Sequence, residues 1–120
     1  MSNKAERFNE GKPRLSFITE ANHALAGCAD VLAFGEKKYA RSNWKKGLDK
    51  HEIIDSLLRH LVAYQSGQTY DTDSGLHHLD HITCNAIFLA DQYNGKRKEY
   101  THRKQVMVDA LDAAMSGDRV

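Results

Sequence analysis

The clearest pattern of apolar and polar positions in the chain lies between residues 75 and 93. Apolar residues recur there at spacings of three and four, at Leu79, Ile82, Ala86, Leu89 and Tyr93. Because this spacing places them on one side of an α-helix, it predicts a helix from about Gly75 to Tyr93. Either Asp73 or Ser74 can cap the free N–H groups of its first turn. A helix with one apolar stripe is expected to bury that stripe against other helices.

Three further segments repeat their apolar residues with the same helical period. They predict helices from about Glu20 to Phe34, from Asp49 to about Ser66 and from about His102 to Met115. Gly35 is expected to close the first of these helices. The sequence has no alternating β pattern, no internal repeat and no low-complexity tract. It therefore predicts an all-α bundle of four main helices.

The predicted helix of residues 49–66 carries a broad apolar face. Such a face is expected to be buried on two sides, in the centre of a bundle or at a subunit interface. A chain of 120 residues has only a modest core of its own. We therefore expect a homo-oligomer, a dimer or larger, that completes the bundle.

Composition and charge restrict the class of protein. Hydrophobic residues make up 41% and charged residues 28%, as in an ordinary globular domain. Polar residues 1–12 are expected to form a flexible arm, and residues 13–120 a single helical domain. The formal net charge of +1 offers no general attraction for polyanions, so stable DNA binding is not expected. Without a signal peptide or membrane-spanning run, and with no disulfide spacing for Cys28 and Cys84, we expect a cytoplasmic protein without membrane contact.

Residues 35–47, here named the basic-aromatic segment, read GEKKYARSNWKKG and predict a short helical turn or an ordered loop. Cations bind phosphates, and aromatic rings stack on bases or pack beside a ribose. The candidate nucleotide-binding residues of this segment are Lys38, Tyr39, Asn43, Trp44 and Lys45. The alternative interpretation is a solvated basic loop whose tyrosine and tryptophan pack against the core.

A second candidate is the polar cluster at residues 71–85, where Asp71 and Asp73 precede two histidines. His77 and His81 are one turn apart on the predicted helix, and Asn85 lies on the same stripe. Imidazoles at this spacing can share one metal ion or one anionic ligand. The alternative interpretation is a set of half-buried histidines that only form hydrogen bonds. His60, on the preceding predicted helix, is placed where it can face the cluster.

Several common catalytic motifs are absent from the sequence. There is no GxGxxG, GxxxxGK[ST], GxSxG or HExxH motif. There is also no His-Asp dipeptide and no ExxE pair of the kind that holds magnesium between facing helices. These absences exclude the site types that the motifs define.

Three blocks of sequence, in the same order, resemble the phage and prophage dATP/dGTP diphosphohydrolase N-terminal domain family. The blocks are KPRLSFI, VLAFGEKKYARSNWKKG and LLRHLVAYQSGQTYDTDSGLHHLDHITCNAIFL, and they extend from about Lys12 to Leu89. The family pattern covers Gly35, Lys38, Tyr39, Asn43, Trp44, Gly47, Arg59, His60, Asp71, Ser74, Gly75, His77 and Asn85. Where the family is expected to have an acid after Gly67, this chain has Gln68.

The resemblance implies an all-α nucleotide pyrophosphatase-like hydrolase that converts a purine deoxynucleoside triphosphate to monophosphate and pyrophosphate. Together with the basic-aromatic segment and the polar cluster, the resemblance leads us to expect Asp71, His77 and His81 as catalytic residues. Magnesium or manganese would be held by Asp71, Asp73 and His77. The expected substrate-binding residues are Lys38, Tyr39, Asn43, Trp44, Lys45, Arg59, His60 and Asn85. One alternative is a non-catalytic phage protein that sequesters a nucleotide in the host cytoplasm, and another is a helical domain without a ligand.

Overall fold

The computed structural model describes residues 4–94 and 102–115. Its helices are α1 (Ser16–Thr19), α2 (Asn22–Lys38), α3 (Lys50–Gln65), α4 (His78–Leu89) and α5 (His102–Met115). A 3₁₀ turn at Asn43–Lys46 precedes α3, and a π-helical turn at Ala90–Asn94 follows α4. Within these described ranges no strand forms, and only one isolated antiparallel bridge joins Tyr70 to His77. The all-α prediction is therefore confirmed.

The chain divides into two compact units. Residues 17–97 form one unit, which contains α2, α3 and α4. The other unit consists of residues 1–16 and 98–120 and contains α5. The candidate site lies wholly within the first unit. The predicted arm of residues 1–12 and single domain of residues 13–120 stay a prediction.

The core of the first unit forms where α4 packs against both α2 and α3. Each of these helices contributes one buried apolar residue to the core, namely Cys28, Ile53 and Cys84. The absence of a side chain at Gly27 of α2 leaves room for the carboxylate of Asp80 on α4. The side chain of Asp80 therefore packs directly against the backbone of α2 at this point.

Local contacts explain where two of the helices begin and end. Asp49 caps α3, because its Oδ2 accepts a hydrogen bond from Glu52 N at 3.1 Å. The expectation that Gly35 closes the preceding helix was wrong. Its carbonyl oxygen accepts from Tyr39 N at 2.8 Å, so the helical hydrogen-bond ladder passes through the glycine to Lys38.

The start of α4 also differs from the prediction. The N-cap is His77, whose Nδ1 accepts from Leu79 N at 3.0 Å, rather than Asp73 or Ser74. Ser74 does not cap the helix because its hydroxyl oxygen already accepts from Leu76 N, at 3.1 Å, inside the preceding turn. The helix therefore begins at His78, three residues after the predicted start.

Only part of the apolar face of α3 is covered within the described chain. Ile53 is 3% exposed, whereas Leu58 and Val62 are 47% and 60% exposed. The predicted homo-oligomer stays a prediction. None of the described helices combines the length and the hydropathy that a bilayer-spanning helix requires.

Candidate functional site

A cavity of about 850 Å³ lies between α2, α3, α4 and the basic-aromatic segment. Its wall includes most of the predicted site residues, namely Lys38, Tyr39, Asn43, Trp44, Arg59, His60, Asp71, Asp73, His81 and Asn85. Of the other predicted residues, Lys45 and His77 do not line it. Small-molecule sites typically measure about 300–1,000 Å³. The fold thus brings the basic-aromatic segment and the polar cluster to one ligand-sized cavity.

His78, the first residue of α4, is a buried polar group of this cavity, with 2% of its surface exposed. Its Nε2 lies 2.7 Å from Gln68 Oε1, and its Nδ1 lies 2.8 Å from Nδ1 of His60. Because an amide oxygen only accepts hydrogen bonds, His78 Nε2 carries a hydrogen and donates it. In neutral His78 the Nδ1 lone pair then accepts the hydrogen of His60 Nδ1. Both nitrogens of His78 are engaged, which fixes its ring.

Asp71 and Ser74 organise the loop that leads into α4. Asp71 Oδ2 accepts from Ser74 N at 2.8 Å. The hydroxyl oxygen of Ser74 lies 2.7 Å from Nε2 of His81, and that nitrogen is 3.9 Å from Asp71 Oδ2. The loop therefore places a carboxylate, a hydroxyl and an imidazole next to one another.

The environment shifts the protonation of this cluster. Burial lowers the pKa of His60, and nearby His81 lowers it further. Burial also lowers the pKa of His81, against the opposing effect of Asp71. For Asp71, burial raises the pKa, but hydrogen bonds from Ser74 and the nearby histidines outweigh burial and leave the pKa lowered. The two histidines are therefore neutral at pH 7, and their stacked rings, 4.3 Å apart, carry lone pairs that can bind a proton or a metal ion.

With Arg41, Lys38 is one of two cations of the basic-aromatic segment that line the cavity. Its Nζ lies 3.4 Å from Asp73 Oδ2 and 5.8 Å from the ring centres of Phe34 and Tyr39. The lysine and aspartate side chains are 51% and 70% exposed. An ion pair this exposed is weak, so a phosphate can replace Asp73 as the partner of Lys38.

The two aromatic residues of the segment have different environments. Trp44 is half-buried and stacks on Phe88 of α4 with ring centres 4.8 Å apart. Gln92 supports it, since its side chain donates to the carbonyl oxygen of Trp44 and accepts from Leu48 N at 3.1 Å. Tyr39 is 66% exposed. Trp44 thus packs against the core, and Tyr39 presents an exposed ring at the cavity.

Arg59 and Asn85 complete the wall from α3 and α4. Asn85 Nδ2 donates to the hydroxyl oxygen of Ser56 at 3.2 Å, whereas Arg59 is exposed. Lys45 is directed elsewhere, with its ammonium 5.8 Å from the ring centre of Trp44. Among the described residues, the cavity wall therefore has three exposed cations that can contact an anionic ligand, Lys38, Arg41 and Arg59.

The structure does not bring His77 to the other predicted site residues. Its ring packs against Tyr64 and Tyr70, with ring centres 5.7 and 5.5 Å away, and its Nδ1 caps α4. As the N-cap it has extended backbone dihedral angles, so the helical period that relates it to His81 does not apply. The neighbouring His78 lies three residues before His81 within the helix and takes the position facing the cavity.

Sequence reasoning missed His78 and the contact that Gln68 makes with it. The cavity-lining residues of α4 are His78, His81, Cys84, Asn85 and Phe88, which repeat at helical spacing. A histidine at either residue 77 or 78 continues that repeat, so the pattern alone cannot choose between them. The choice depends on where the helix begins, and the loop contacts of Ser74 determine that.

One group of described residues has the geometry to hold a metal ion. His60, Asp71 and His78 each offer a ligand atom, and these atoms all lie within 4.8 Å of one another. Of the ligands expected from the sequence, only Asp71 belongs to this group. Asp73 instead pairs with Lys38, and His77 caps α4.

Comparison with known proteins identifies the family. A family model described as dATP/dGTP diphosphohydrolase, N-terminal, matches residues 2–103. A protein of Salmonella phage PMBT28 named dATP/dGTP diphosphohydrolase is 35% identical over 83 residues, which are 69% of this chain and 28% of that relative. The chain therefore spans little more than a quarter of the length of this relative. No solved structure matches. The chain belongs to the family of dATP/dGTP diphosphohydrolase N-terminal domains.

Proposed function

We propose that this chain binds a purine deoxynucleoside triphosphate and hydrolyses it to the monophosphate and pyrophosphate with a divalent metal ion. The main observation in support of this proposal is the cavity of about 850 Å³. Its wall has exposed cations and a tyrosine together with a cluster of histidine and aspartate side chains. The name of the phage relative, a dATP/dGTP diphosphohydrolase, supports the same substrate class and reaction. Magnesium or manganese is the proposed class of metal.

The cavity residues match the parts of such a substrate. Lys38 and Arg59 are assigned to the phosphates, because both are cations with exposed side chains at the cavity wall. The exposed ring of Tyr39 is assigned to the base or the ribose. Asn85 is held by Ser56 and can offer its amide oxygen to a base edge.

The reaction requires water to attack the α-phosphorus. The bond between that phosphorus and the oxygen leading to the β-phosphate breaks, and pyrophosphate leaves. Neutral His81 is the group assigned to take the proton of the attacking water, because burial lowers its pKa and keeps it unprotonated. A bound divalent ion would supply positive charge next to the phosphates and make the water more acidic.

A second candidate function is nucleotide sequestration without hydrolysis. It is favoured by the carboxylate content of the cluster, because Asp71 is the one acid in the group of possible metal ligands. Gln68 provides a neutral amide where the family resemblance leads us to expect an acid. A cavity with these residues can hold a nucleotide and still lack the charge needed to complete catalysis.

Incubation of the purified protein with dATP or dGTP, with magnesium or manganese, tests both candidates. Anion-exchange chromatography after denaturation separates monophosphate and pyrophosphate from intact triphosphate. Formation of both products supports the hydrolase. Release of bound, intact triphosphate overturns hydrolysis and supports sequestration, and absence of both binding and products overturns both.

The Asp71→Asn variant sharpens this test. Asparagine keeps the shape of the side chain and removes its charge, so turnover should fall by about a hundredfold or more while nucleotide binding stays measurable. Asp73→Asn is the matched control, since Asp73 is exposed and pairs only with Lys38 among its described ion-pair partners. An equal loss in both variants would contradict the assignment of Asp71.

A further inference from the structure

We propose that His60, His78 and Asp71 form a binding site for a transition-metal ion of the Mn²⁺ or Co²⁺ class, and that Gln68 orients His78 from outside the ligand set. This metal site extends the proposed function. A catalytic role for the bound metal rests on that proposal. It replaces the oxygen-rich site expected from the sequence with a site of two nitrogens and one carboxylate. The metal binding itself can be tested without a nucleotide.

The first argument is the separation of the two histidine nitrogens. His60 Nδ1 and His78 Nδ1 lie 2.8 Å apart. With metal–nitrogen bonds of about 2.0–2.1 Å, two ligands at right angles are about 2.9 Å apart. The pair is therefore close to the spacing that a single ion requires, before any ion binds. In the metal-free protein the same spacing is held by the hydrogen on His60 Nδ1, and metal binding to that nitrogen requires this hydrogen to be lost to solvent while His60 Nε2 takes up a proton.

The second argument is the outer contact of His78. Its Nε2 donates to Gln68 Oε1 at 2.7 Å, which leaves Nδ1 as the nitrogen with a lone pair. Metal-binding histidines commonly donate their other N–H to an oxygen in this way, and the contact fixes the tautomer and the ring orientation. Gln68 therefore acts on the metal through His78, although it is not a ligand itself.

The third argument is the position and orientation of Asp71. It offers an oxygen within 4.8 Å of the ligand atoms of both histidines. Its Oδ2 is fixed by the backbone N–H of Ser74 at 2.8 Å. All three residues line the cavity, so coordination positions beyond these three remain for water or phosphate oxygens.

The donor set indicates the metal. Magnesium prefers oxygen ligands and keeps several waters, whereas imidazole nitrogen suits later first-row divalent ions. Two histidines and one carboxylate therefore favour Co²⁺ over Mg²⁺, and Mn²⁺, which lies at the weak end of the first-row series, to a smaller degree. Because His78 is buried, water has little access to replace its nitrogen as a ligand.

The test is direct titration of the nucleotide-free protein with MnCl₂, with free Mn²⁺ followed by electron paramagnetic resonance. CoCl₂ titration followed by visible absorption gives a second readout of the ligand field. We expect saturable binding of one ion, at least tenfold tighter than Mg²⁺ measured by competition. Absence of saturable Mn²⁺ and Co²⁺ binding would overturn the proposal.

Adjacent residues provide matched variants. His78→Ala should weaken Mn²⁺ binding at least tenfold, whereas His77→Ala should leave it unchanged, because His77 caps α4 and packs against Tyr64 and Tyr70 but is not in the ligand group. Equal effects of the two substitutions would overturn the ligand assignment. If His78→Ala does not fold, as judged by circular dichroism, His60→Ala takes its place with the same expected loss.

Gln68→Glu tests the outer contact. A carboxylate that accepts from His78 Nε2 makes the imidazole a stronger ligand, so Mn²⁺ binding should tighten, and Gln68→Leu should weaken it about tenfold. Unchanged affinity in both variants would overturn the role of Gln68. Metal binding by these residues without nucleotide turnover would contradict only the proposed hydrolysis. Turnover that survives His78→Ala unchanged would contradict only this site.

Discussion

A methyl group added at Gly27 would lie 2.1 Å from Oδ1 of Asp80, a residue 53 positions away on a neighbouring helix. That distance is far below any van der Waals contact, so the carboxylate of Asp80 can lie against α2 only because residue 27 has no side chain. Asp80 belongs to the first turn of α4, next to the residues of the candidate site. The glycine therefore accommodates a side chain from the first turn of the helix that carries His78 and His81.

Gly27→Ala should destabilise the protein. Overpacking typically costs about 1–3 kcal/mol, which exceeds the gain of about 0.5–1 kcal/mol from replacing a helical glycine by alanine. Gly35→Ala is the matched control, since a methyl group there meets nothing within 4 Å in the same helix. It should raise the free energy of unfolding. Urea denaturation measures both, and equal stability of the two variants would contradict the close contact at Asp80.

Lys38→Ala should weaken binding of dATP or dGTP about tenfold or more, because a charged hydrogen bond to phosphate contributes about 1.5–3 kcal/mol. The difference should shrink as salt is added, since screening already weakens the contact in the wild type. Lys37→Ala, which removes a neighbouring lysine that does not line the cavity, is the control. Isothermal titration calorimetry measures both affinities. The same affinity in all three proteins would remove Lys38 from the site.

The buried thiols should be unreactive in the folded protein. Burial raises the pKa of Cys28 and raises that of Cys84 well above its ordinary value of 9.0. Because the thiolate is the reactive form, both should react with a disulfide reagent about tenfold or more slowly in the folded state than in guanidinium. Fast reaction of both thiols in the native protein would show that this part of the core opens readily.

The same shifts predict a loss of stability in alkaline solution. As the pH rises past 9.0, the unfolded chain releases its thiol protons while the folded chain keeps them. The stability contributed by the buried thiols is therefore complete below that pH and declines above it. Denaturation of wild type and Cys84→Ala at several pH values checks the sign, and the variant should lose less stability per pH unit.

The exposed side chains of Leu58 and Val62 on α3 predict self-association. Residues this apolar are expected to be covered, and a second copy of the chain offers the same surface in return. Light scattering should give at least twice the chain mass of 13.6 kDa at micromolar concentration. The double variant Leu58→Lys, Val62→Lys should shift the protein towards the monomer, whereas His51→Lys on the same helix should not. A wild-type monomer would mean that these residues stay exposed.

The sequence by itself determined the elements that depend on local contacts. The helical period of α2, α3, α4 and α5 lies in the spacing of apolar residues, and the all-α class follows from it. The start of α3 was also readable, because Asp49 and Glu52 make their capping contact within one turn. Such features need no knowledge of distant residues.

The sequence also predicted part of the candidate site, because some of its residues stand out in the local sequence. The basic-aromatic segment and Asp71 are distinctive in composition, and the fold brings most of them to one cavity. What remained undecided was which of two adjacent histidines faces it. A shift of one residue at the start of a helix rotates a side chain by about 100°, and the apolar period does not specify that start.

Only the tertiary structure showed that His78 contacts His60 and Gln68. Ser74 is engaged by Leu76 N, so the helix begins at His78 and not earlier. His78 then meets His60 across 18 positions and Gln68 across ten. These contacts join α3, the loop and α4, and their distances depend on how closely the helices pack. Helical period is a property of neighbouring residues, whereas the meeting of two imidazole nitrogens is a property of the packed chain.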